Sequence, residues 1–237
     1  MLDKIFVLNF NQGVYMRKKL VIWDFDGVIA DSEKIWLRNR QKMLNDRYNI
    51  NWDFDTVNKN LGGMSDKSKR EVLNNMGIIT DDDFWHICME NDIKCIRNKE
   101  MLVTPYVEEV IKSLDKYCVA TGGVFIKTVE KLKSIDFWNK YFSEKNLFTV
   151  DMVEKGKPEP DLFLYAAKQM GEKPEDCLVI EDSIVGMMAA IKAGMDVVAF
   201  LGSNMYKNDE YLKRVKELGV ENIFYDMKDV SNFLSKE

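Results

Sequence analysis

A run of four apolar residues, Leu20–Trp23, is followed at once by Asp24, Phe25, Asp26 and Gly27. Apolar runs rich in β-branched and aromatic residues predict a strand that is buried on both faces, as in a parallel sheet. Because an unpaired carboxylate is costly to bury, the two aspartates must lie where this strand ends. Ligands usually bind at that end of a strand in an open α/β sheet, although a plain Asp/Gly turn fits the same pattern.

The rest of the chain divides by its hydrophobic pattern into a helical part and an alternating part. Between residues 35 and 100 apolar residues recur only at helical spacing, and Thr80 before three aspartates predicts a helix start there. Thr104 and Pro105 predict the start of the next helix. Further strands are predicted at 118–121, 147–150, 177–180 and 197–200, with helices between them and near 208–218 and 226–235. Alternating strands and helices predict a parallel sheet with helices on both faces, and the helical part reads as an insert.

Composition and charge narrow the classes of function. The chain has 237 residues and a net charge of -5, which argues against a general nucleic-acid binder. No apolar run approaches the roughly 18 residues of a membrane span, and the N-terminus lacks a secretory pattern. We therefore expect a cytoplasmic protein without a nucleic-acid or membrane partner. Met16 can serve as the true start, so residues 1–15 are expected to be dispensable.

Rare residues exclude several kinds of catalysis. His86 is the single histidine, and the four cysteines include no Cys-x-x-Cys pair. A two-histidine zinc site is therefore excluded, and no thiol pair is spaced for metal or redox chemistry. We expect His86 at the surface, and Cys118 and Cys177 in the core as small apolar side chains. Carboxylates remain as the candidate catalytic groups.

The polar groups that follow the predicted strands form one set at a single edge of the sheet. They are Asp24 and Asp26, Thr121 with Gly122 and Gly123, Lys157 in its own loop, and Glu181 with Asp182. Crowded carboxylates need a cation, and Mg2+ prefers oxygen ligands of this kind. A hydroxyl, the backbone N–H groups of a glycine turn and a lysine suit a phosphoryl group. The residues therefore predict a site for magnesium and phosphate.

At these residues the chain resembles the haloacid dehalogenase-like hydrolase superfamily, in particular its beta-phosphoglucomutase-like phosphatase branch with a helical cap. The resemblance runs from residue 19 to about residue 200 and includes four motifs in order. The motifs are Asp24-Phe25-Asp26-Gly27-Val28, a strand ending at Thr121, Gly156-Lys157-Pro158-Glu159-Pro160-Asp161, and Glu181-Asp182-Ser183. The resemblance implies an α/β fold with two parts. A Rossmann-like doubly wound parallel sheet core comprises residues 1–34 and 101–237, and an inserted all-helical cap domain comprises residues 35–100.

The resemblance also implies a catalytic role for each motif. Asp24 attacks phosphorus and forms an aspartyl-phosphate, and Asp26 protonates the leaving oxygen and then activates water. Thr121 and the N–H of Gly122 hold phosphoryl oxygens, while Lys157 offsets negative charge. These roles agree with phosphoryl transfer in general, which depends on positioning and charge neutralisation.

A metal site follows from the same resemblance. Mg2+ is held by Asp24, by the backbone carbonyl of Asp26 and by Asp182, with Glu181 as a ligand directly or through water. The expected reaction is hydrolysis of a small phosphorylated metabolite, with sugar phosphates among the candidates, by a monomeric enzyme. A phosphomutase and a non-catalytic phosphate-binding regulator stay open as alternatives.

Departures from the family pattern concern the substrate. Relatives often have an arginine soon after a Gly-x-Ser in the cap loop, where this chain has Asp66 and Lys67, so Lys67 either contacts substrate or is a solvated loop lysine. Glu33 and Trp36 can line the cap side of the site, and Trp36 fits the cap core equally well. Beta-phosphoglucomutases carry a histidine twelve residues after the nucleophile. In this chain that position is Trp36, and the absence of a histidine there favours hydrolysis.

Overall fold

Strands and helices alternate along most of the chain in the structure, a computed structural model that describes residues 18–64, 66–202 and 209–235. The strands are β1 (Leu20–Trp23), β2 (Ala30–Asp31), β3 (Leu102–Val103), β4 (Tyr117–Thr121), β5 (Leu147–Thr149), β6 (Cys177–Glu181), β7 (Asp196–Phe200) and β8 (Asn222–Phe224). The helices are α1 (Glu33–Tyr48), α2 (Phe54–Leu61), α3 (Asp66–Asn75), α4 (Asp82–Arg97), α5 (Val107–Ser113), α6 (Phe125–Ser134), α7 (Asp161–Gln169), α8 (Ile184–Lys192), α9 (Asp209–Glu217) and α10 (Met227–Ser235). Single 3-10 turns cover Val150–Met152 and Pro174–Asp176.

The main sheet has six parallel strands in the order β5-β4-β1-β6-β7-β8. β1 pairs with β4 on one side and with β6 on the other, and all four of its residues are buried. The predicted buried strand is therefore central to the sheet. Because the strands are parallel, the residues that follow β1, β4 and β6 lie at the same edge.

Helices cover both faces of this sheet. Val21 and Trp23 of β1 join one apolar cluster with α5, α6 and α10, whereas Leu20 and Ile22 join a second cluster with α7, α8 and α9. Alternate residues of a strand point to opposite faces, so one strand contributes to both clusters. The predicted α/β fold with a doubly wound parallel sheet is confirmed.

The chain between β2 and β3 contains the helices α1 to α4, as its periodicity predicted. These helices enclose an apolar cluster of their own, whose buried members include Leu37, Leu44, Val57 and Phe84. β2 and β3 pair antiparallel, so the chain leaves the sheet region and returns to it through a two-stranded ribbon. The division into a core and a cap domain stays a prediction.

Two predicted helix starts are wrong, one by a single residue and the other by two. Asp81, not Thr80, caps α4 by accepting a hydrogen bond from the backbone N–H of Phe84. α5 begins at Val107 rather than at Pro105, because the N–H of Thr104 donates to the carbonyl of Ile29 and continues the ribbon.

Several smaller expectations can be compared with the described residues. His86 is exposed beside Glu90, and Cys118 and Cys177 are buried, as predicted. Within the described ranges no helix combines the length and hydrophobicity that a bilayer crossing requires. The expectations for Met16 and for residues 1–15 lie outside those ranges.

Candidate active site

A buried lysine links two carboxylates at the edge of the sheet. The Nζ atom of Lys157 lies 2.6 Å from Oδ1 of Asp24 and 2.7 Å from Oε1 of Glu181. The second oxygen of Glu181 accepts a hydrogen bond of 2.6 Å from the N–H of Ser183. Asp24 follows β1, Glu181 ends β6, and Lys157 comes from the loop before α7. Three separate segments therefore meet at one point.

Two glycines make room for the acidic side chains of this site. A Cβ atom on Gly27 would lie 1.9 Å from Oδ2 of Asp182, and Gly27 has a φ of +81°. A Cβ atom on Gly186 would lie 1.6 Å from Oε1 of Glu181. Heavy atoms cannot approach this closely, so any larger residue would displace a carboxylate. Both the backbone conformation and the space available therefore require glycine at position 27 of the first motif.

The buried carboxylates carry more negative charge than one lysine can offset. Burial raises the pKa of Asp24 to about 7, and the charge of Glu181 adds to this effect while Lys157 opposes it. Burial, with the charges of Glu181 and Asp24, also raises the pKa of Asp182 well above its usual value. Burial disfavours the charged form of Lys157, but its two carboxylate partners raise its pKa overall. This part of the site therefore favours a further cation.

Asp26 has a different cationic partner. The Nζ atom of Lys131, on α6, lies 2.6 Å from each carboxylate oxygen of Asp26. The hydroxyl of Ser32, which precedes α1, donates a short hydrogen bond to Oδ1 of the same carboxylate. Burial alone would raise the pKa of Asp26, but the charge and hydrogen bonds of Lys131 outweigh it and lower that pKa. Asp26 is therefore held as a carboxylate at the border between the sheet and α1.

The predicted phosphate-binding groups lie at the end of β4, next to β1. Thr121 is buried, and its hydroxyl accepts a hydrogen bond of 3.3 Å from the N–H of Gly123. Gly122 is exposed and has open space where a side chain would be. A hydroxyl and an open glycine turn thus lie at the edge that carries Asp24.

The predicted substrate-binding residues of the helical part differ in their surroundings. Oε1 of Glu33 accepts a hydrogen bond of 3.0 Å from the N–H of Gly63 and lies 3.6 Å from Nζ of Lys69. Trp36 is buried, and its ring lies under two ammonium groups, 4.4 Å from Nζ of Lys127 and 5.4 Å from Nζ of Lys131. Lys67 is exposed at the start of α3. Glu33 and Trp36 therefore make their contacts within the protein.

Asp66, which stands where relatives often have arginine, belongs to a network of ion pairs. Both of its oxygens accept hydrogen bonds of 2.9 Å from Arg40. Arg40 also contacts both oxygens of the buried Asp92 at 2.6 Å, and Asp92 lies 3.2 Å from Nζ of Lys127. The network joins α1, α3 and α4 to α6.

Sequence reasoning missed Lys131 and Ser32. Lys131 shares the buried face of α6 with Thr128, Leu132 and Ser134. A lysine on the buried face of a helix needs a partner of opposite charge. The helical periodicity of the sequence could therefore have indicated that Lys131 is paired with a carboxylate. Ser32 precedes α1 at the position of a helix cap, yet its side chain makes no capping hydrogen bond and donates to Asp26 instead.

The fold and the site define a class of α/β protein in which polar groups from several strand ends surround a buried aspartate. Residues 21–200 match the family model described as haloacid dehalogenase-like hydrolase. This match covers most of the chain, and the chain therefore belongs to that family. The prediction from the four motifs is confirmed.

Named relatives and a solved structure support the same class. The chain is 28% identical over 191 residues to a Drosophila melanogaster protein named "Probable pseudouridine-5'-phosphatase", covering 75% of this chain and 79% of the relative. It is 25% identical over 193 residues to the 6-phosphogluconate phosphatase of Escherichia coli, covering 78% and 83%. A haloacid dehalogenase-like protein of unknown function from Agrobacterium tumefaciens has the same fold, with a TM-score of 0.79, 22% identity and coverage of 92% and 98%. The predicted enzyme class, a haloacid dehalogenase-like phosphatase, is confirmed.

Proposed function

We propose that this chain is a Mg2+-dependent phosphatase that hydrolyses a small phosphomonoester through an aspartyl-phosphate on Asp24. The observation that carries the proposal is the buried Lys157, whose ammonium group bridges Asp24 and Glu181 at the carboxyl edge of the sheet. A nucleophilic carboxylate beside a fixed cation suits attack on a phosphoryl group, because negative charge builds up there.

The chemistry divides between the two aspartates of the first motif. The carboxylate of Asp24 attacks phosphorus, and the bond between phosphorus and the alcohol oxygen breaks while Asp26, which rests as a carboxylate, relays a proton from the phosphate monoanion of the substrate to that oxygen. Asp26 then takes a proton from water, which attacks phosphorus, breaks the bond to Asp24 and releases phosphate, and Asp26 passes that proton to the released phosphate and becomes a carboxylate again. Thr121 and the N–H of Gly122 hold phosphoryl oxygens. Covalent catalysis thus replaces one difficult step with two easier ones.

The residues present fit Mg2+ with a small set of protein ligands. Among the described residues no group of three or more His, Cys, Asp or Glu side chains is arranged to enclose a metal ion. Mg2+ commonly uses one or two carboxylates, with waters and substrate phosphate as further ligands. Asp24 and Asp182, whose pKa values are raised by burial and then by neighbouring carboxylates, and the backbone carbonyl of Asp26 supply such a set. When bound, the ion neutralises charge on the phosphoryl oxygens.

Glu181 fits an indirect role better than direct ligation. Its two oxygens are engaged by the ammonium group of Lys157 and by the N–H of Ser183. Each oxygen of Glu181 already accepts one hydrogen bond, which leaves this carboxylate less free to turn toward a metal ion. We therefore place Glu181 beside the metal as the residue that orients Lys157.

The substrate class follows from the relatives and from the helical part. Pseudouridine 5'-phosphate and 6-phosphogluconate, which the names of two relatives specify, are small phosphomonoesters. We propose that α1 to α4 act as a cap that shuts over a ligand of this size and excludes bulk water. Trp36 offers no base to activate a sugar hydroxyl, so we propose transfer to water rather than to a second sugar.

The decisive experiment replaces the nucleophile. Asn has nearly the shape of Asp but does not form the acyl phosphate, so Asp24→Asn should lower kcat at least about 1000-fold. Wild type and variant are assayed on p-nitrophenyl phosphate and a panel of phosphorylated metabolites, with Mg2+ and with EDTA. Acid quenching of the wild type should trap a phosphorylated protein that the variant lacks.

The control is Asp31→Asn, which alters a carboxylate of β2 that pairs with Lys34 at 3.7 Å. This variant should retain wild-type turnover. Appreciable Mg2+-dependent phosphate release by Asp24→Asn would refute the mechanism.

A further inference from the structure

Lys131 is a buried cation that faces the second aspartate of the first motif. Its side chain is 4% exposed, whereas that of Asp26 is 35% exposed. The ammonium group also lies 5.2 Å from the ring of Phe25 and 5.4 Å from the ring of Trp36. These two rings and the helix restrict the lysine, so it provides a fixed point for a more accessible carboxylate.

Neutralising the charge of Asp26 does not by itself explain why Lys131 is buried. A carboxylate that is one-third exposed can be solvated by water, and removing an ammonium group from water costs several kcal/mol before pairing. The lysine contacts both oxygens of Asp26, and the hydroxyl of Ser32 contacts one of them. Three contacts on two oxygens fix the orientation of the carboxylate as well as its charge.

The proposed role of Asp26 makes the orientation of its carboxylate important. A general acid or base must lie within hydrogen-bond reach of the atom with which it exchanges a proton. Asp26 is the proposed group that reaches the alcohol oxygen, and a side chain free to rotate would reach it only part of the time.

We propose that Lys131 is a positioning residue that orients the carboxylate of Asp26 for proton transfer to the leaving alcohol. It acts through Asp26 and does not contact the substrate itself. The inference rests on the proposed phosphatase function, because the role of Asp26 belongs to that function.

The leaving group provides a readout that a purely structural lysine would not change. An alkyl alcohol leaves as an unstable anion and needs a proton from Asp26, whereas p-nitrophenol leaves as a stable anion. kcat/KM reports only the steps up to formation of the phosphorylated enzyme. Loss of Lys131 should therefore lower kcat/KM for an alkyl phosphate much more than for p-nitrophenyl phosphate.

The experiment compares Lys131→Met, Lys131→Gln and wild type on the best alkyl phosphate of the metabolite panel and on p-nitrophenyl phosphate, at saturating Mg2+. For both variants the alkyl substrate should lose about 30-fold in kcat/KM, part of the 100-fold or more that general acid catalysis contributes. p-Nitrophenyl phosphate should lose less than about 3-fold, since its leaving group needs little help. The ratio of the two values cancels the concentration of active enzyme, so partial misfolding does not obscure the result.

The matched control is Lys133→Met, which removes a half-exposed lysine of the same helix that pairs with Glu130 at 3.0 Å. Its ratio should equal that of the wild type. An equal loss on both substrates would assign Lys131 a structural role, and an unchanged alkyl rate would also overturn the proposal. A wild type without turnover on either substrate would instead refute the phosphatase function.

Discussion

The two halves of the candidate site differ in burial and in charge balance. In the buried half, Lys157 contacts two carboxylates, those of Asp24 and Glu181, and the charge of Asp182 lies close to both of them. In the border half, Lys131 faces one carboxylate, that of Asp26, which is one-third exposed. The buried half therefore has an excess of negative charge, whereas the border half is neutral by itself.

This difference corresponds to the division of labour in the proposed reaction. Excess negative charge in a buried pocket favours a divalent cation and the phosphoryl group that it accompanies. A neutral pair at the border, in contact with the first residues of the helical part, suits proton exchange with the alcohol part of the substrate. This part differs from one phosphomonoester to another. When all four carboxylates are ionised, they and the two lysines sum to a charge of −2, which one divalent ion would balance.

The largest effect is expected in the buried half from Lys157→Met. Removal of the bridging ammonium group takes away one of the two proposed cations beside Asp24, so phosphoryl charge is offset less fully and turnover should fall about 100- to 1000-fold. The melting temperature should fall as well, because a broken buried ion pair is strongly destabilising. Steady-state kinetics and thermal unfolding measure the two effects.

Lys155→Met is the control for that substitution, since Lys155 is an exposed lysine two residues earlier. It should retain wild-type turnover and melting temperature. If Lys157→Met kept more than a tenth of wild-type turnover, charge in the buried half would not limit the reaction, and the contrast between the halves would fail.

A smaller effect on stability, but a specific one on metal binding, is expected from Gly27→Ala. The new Cβ atom would lie 1.9 Å from Oδ2 of Asp182, in a backbone conformation with a φ of +81°. Asp182 must then move, so the rise in melting temperature caused by Mg2+ should disappear in this variant.

Gly171→Ala separates the steric effect from backbone strain. Gly171 has a similar φ of +72°, and its Cβ atom would meet no atom within 4 Å. Strain of about 1 kcal/mol should lower its stability while the Mg2+ effect persists. Loss of the Mg2+ effect in both variants, or in neither, would contradict the role given to Asp182.

The parts of the site that sequence reasoning predicted are those that follow strands. Asp24, Thr121 and Glu181 come directly after or at the end of apolar runs, and parallel strands must bring those ends to one edge. The buried half was therefore predictable from the pattern alone, together with the lysine of the third motif.

Asp26 of the border half was predicted as well, but its cationic partner was not predictable in the same way. Lys131 is one of several lysines on α6, and helical periodicity does not identify which lysine reaches a carboxylate 105 positions earlier. The strands β2, β3 and β8 have only two or three residues each, too few for a periodic pattern. The late start of α5 depends on a hydrogen bond between Thr104 and Ile29, a contact between segments distant in sequence.

The smallest effect is expected from Ser32→Ala in the border half, where Lys131 still holds both oxygens of Asp26. Loss of one donated hydrogen bond should lower kcat for an alkyl phosphate about three- to tenfold. The hydroxyl makes no capping bond to α1, and water can replace it at the partly exposed carboxylate, so stability should change little.

Asp53→Ala is the control, because it should lower stability without changing turnover, the reverse of the effect expected from Ser32→Ala. The side chain of Asp53 caps α2 by accepting a hydrogen bond of 2.8 Å from the N–H of Thr56, at an exposed site. Its loss should lower the free energy of unfolding by about 1 kcal/mol and leave kcat unchanged. Denaturant unfolding and kinetics on both variants separate the two roles. If Ser32→Ala lost as much stability as Asp53→Ala and kept full kcat, the hydroxyl would serve the fold alone, and Lys131 would be the single side chain left to orient Asp26.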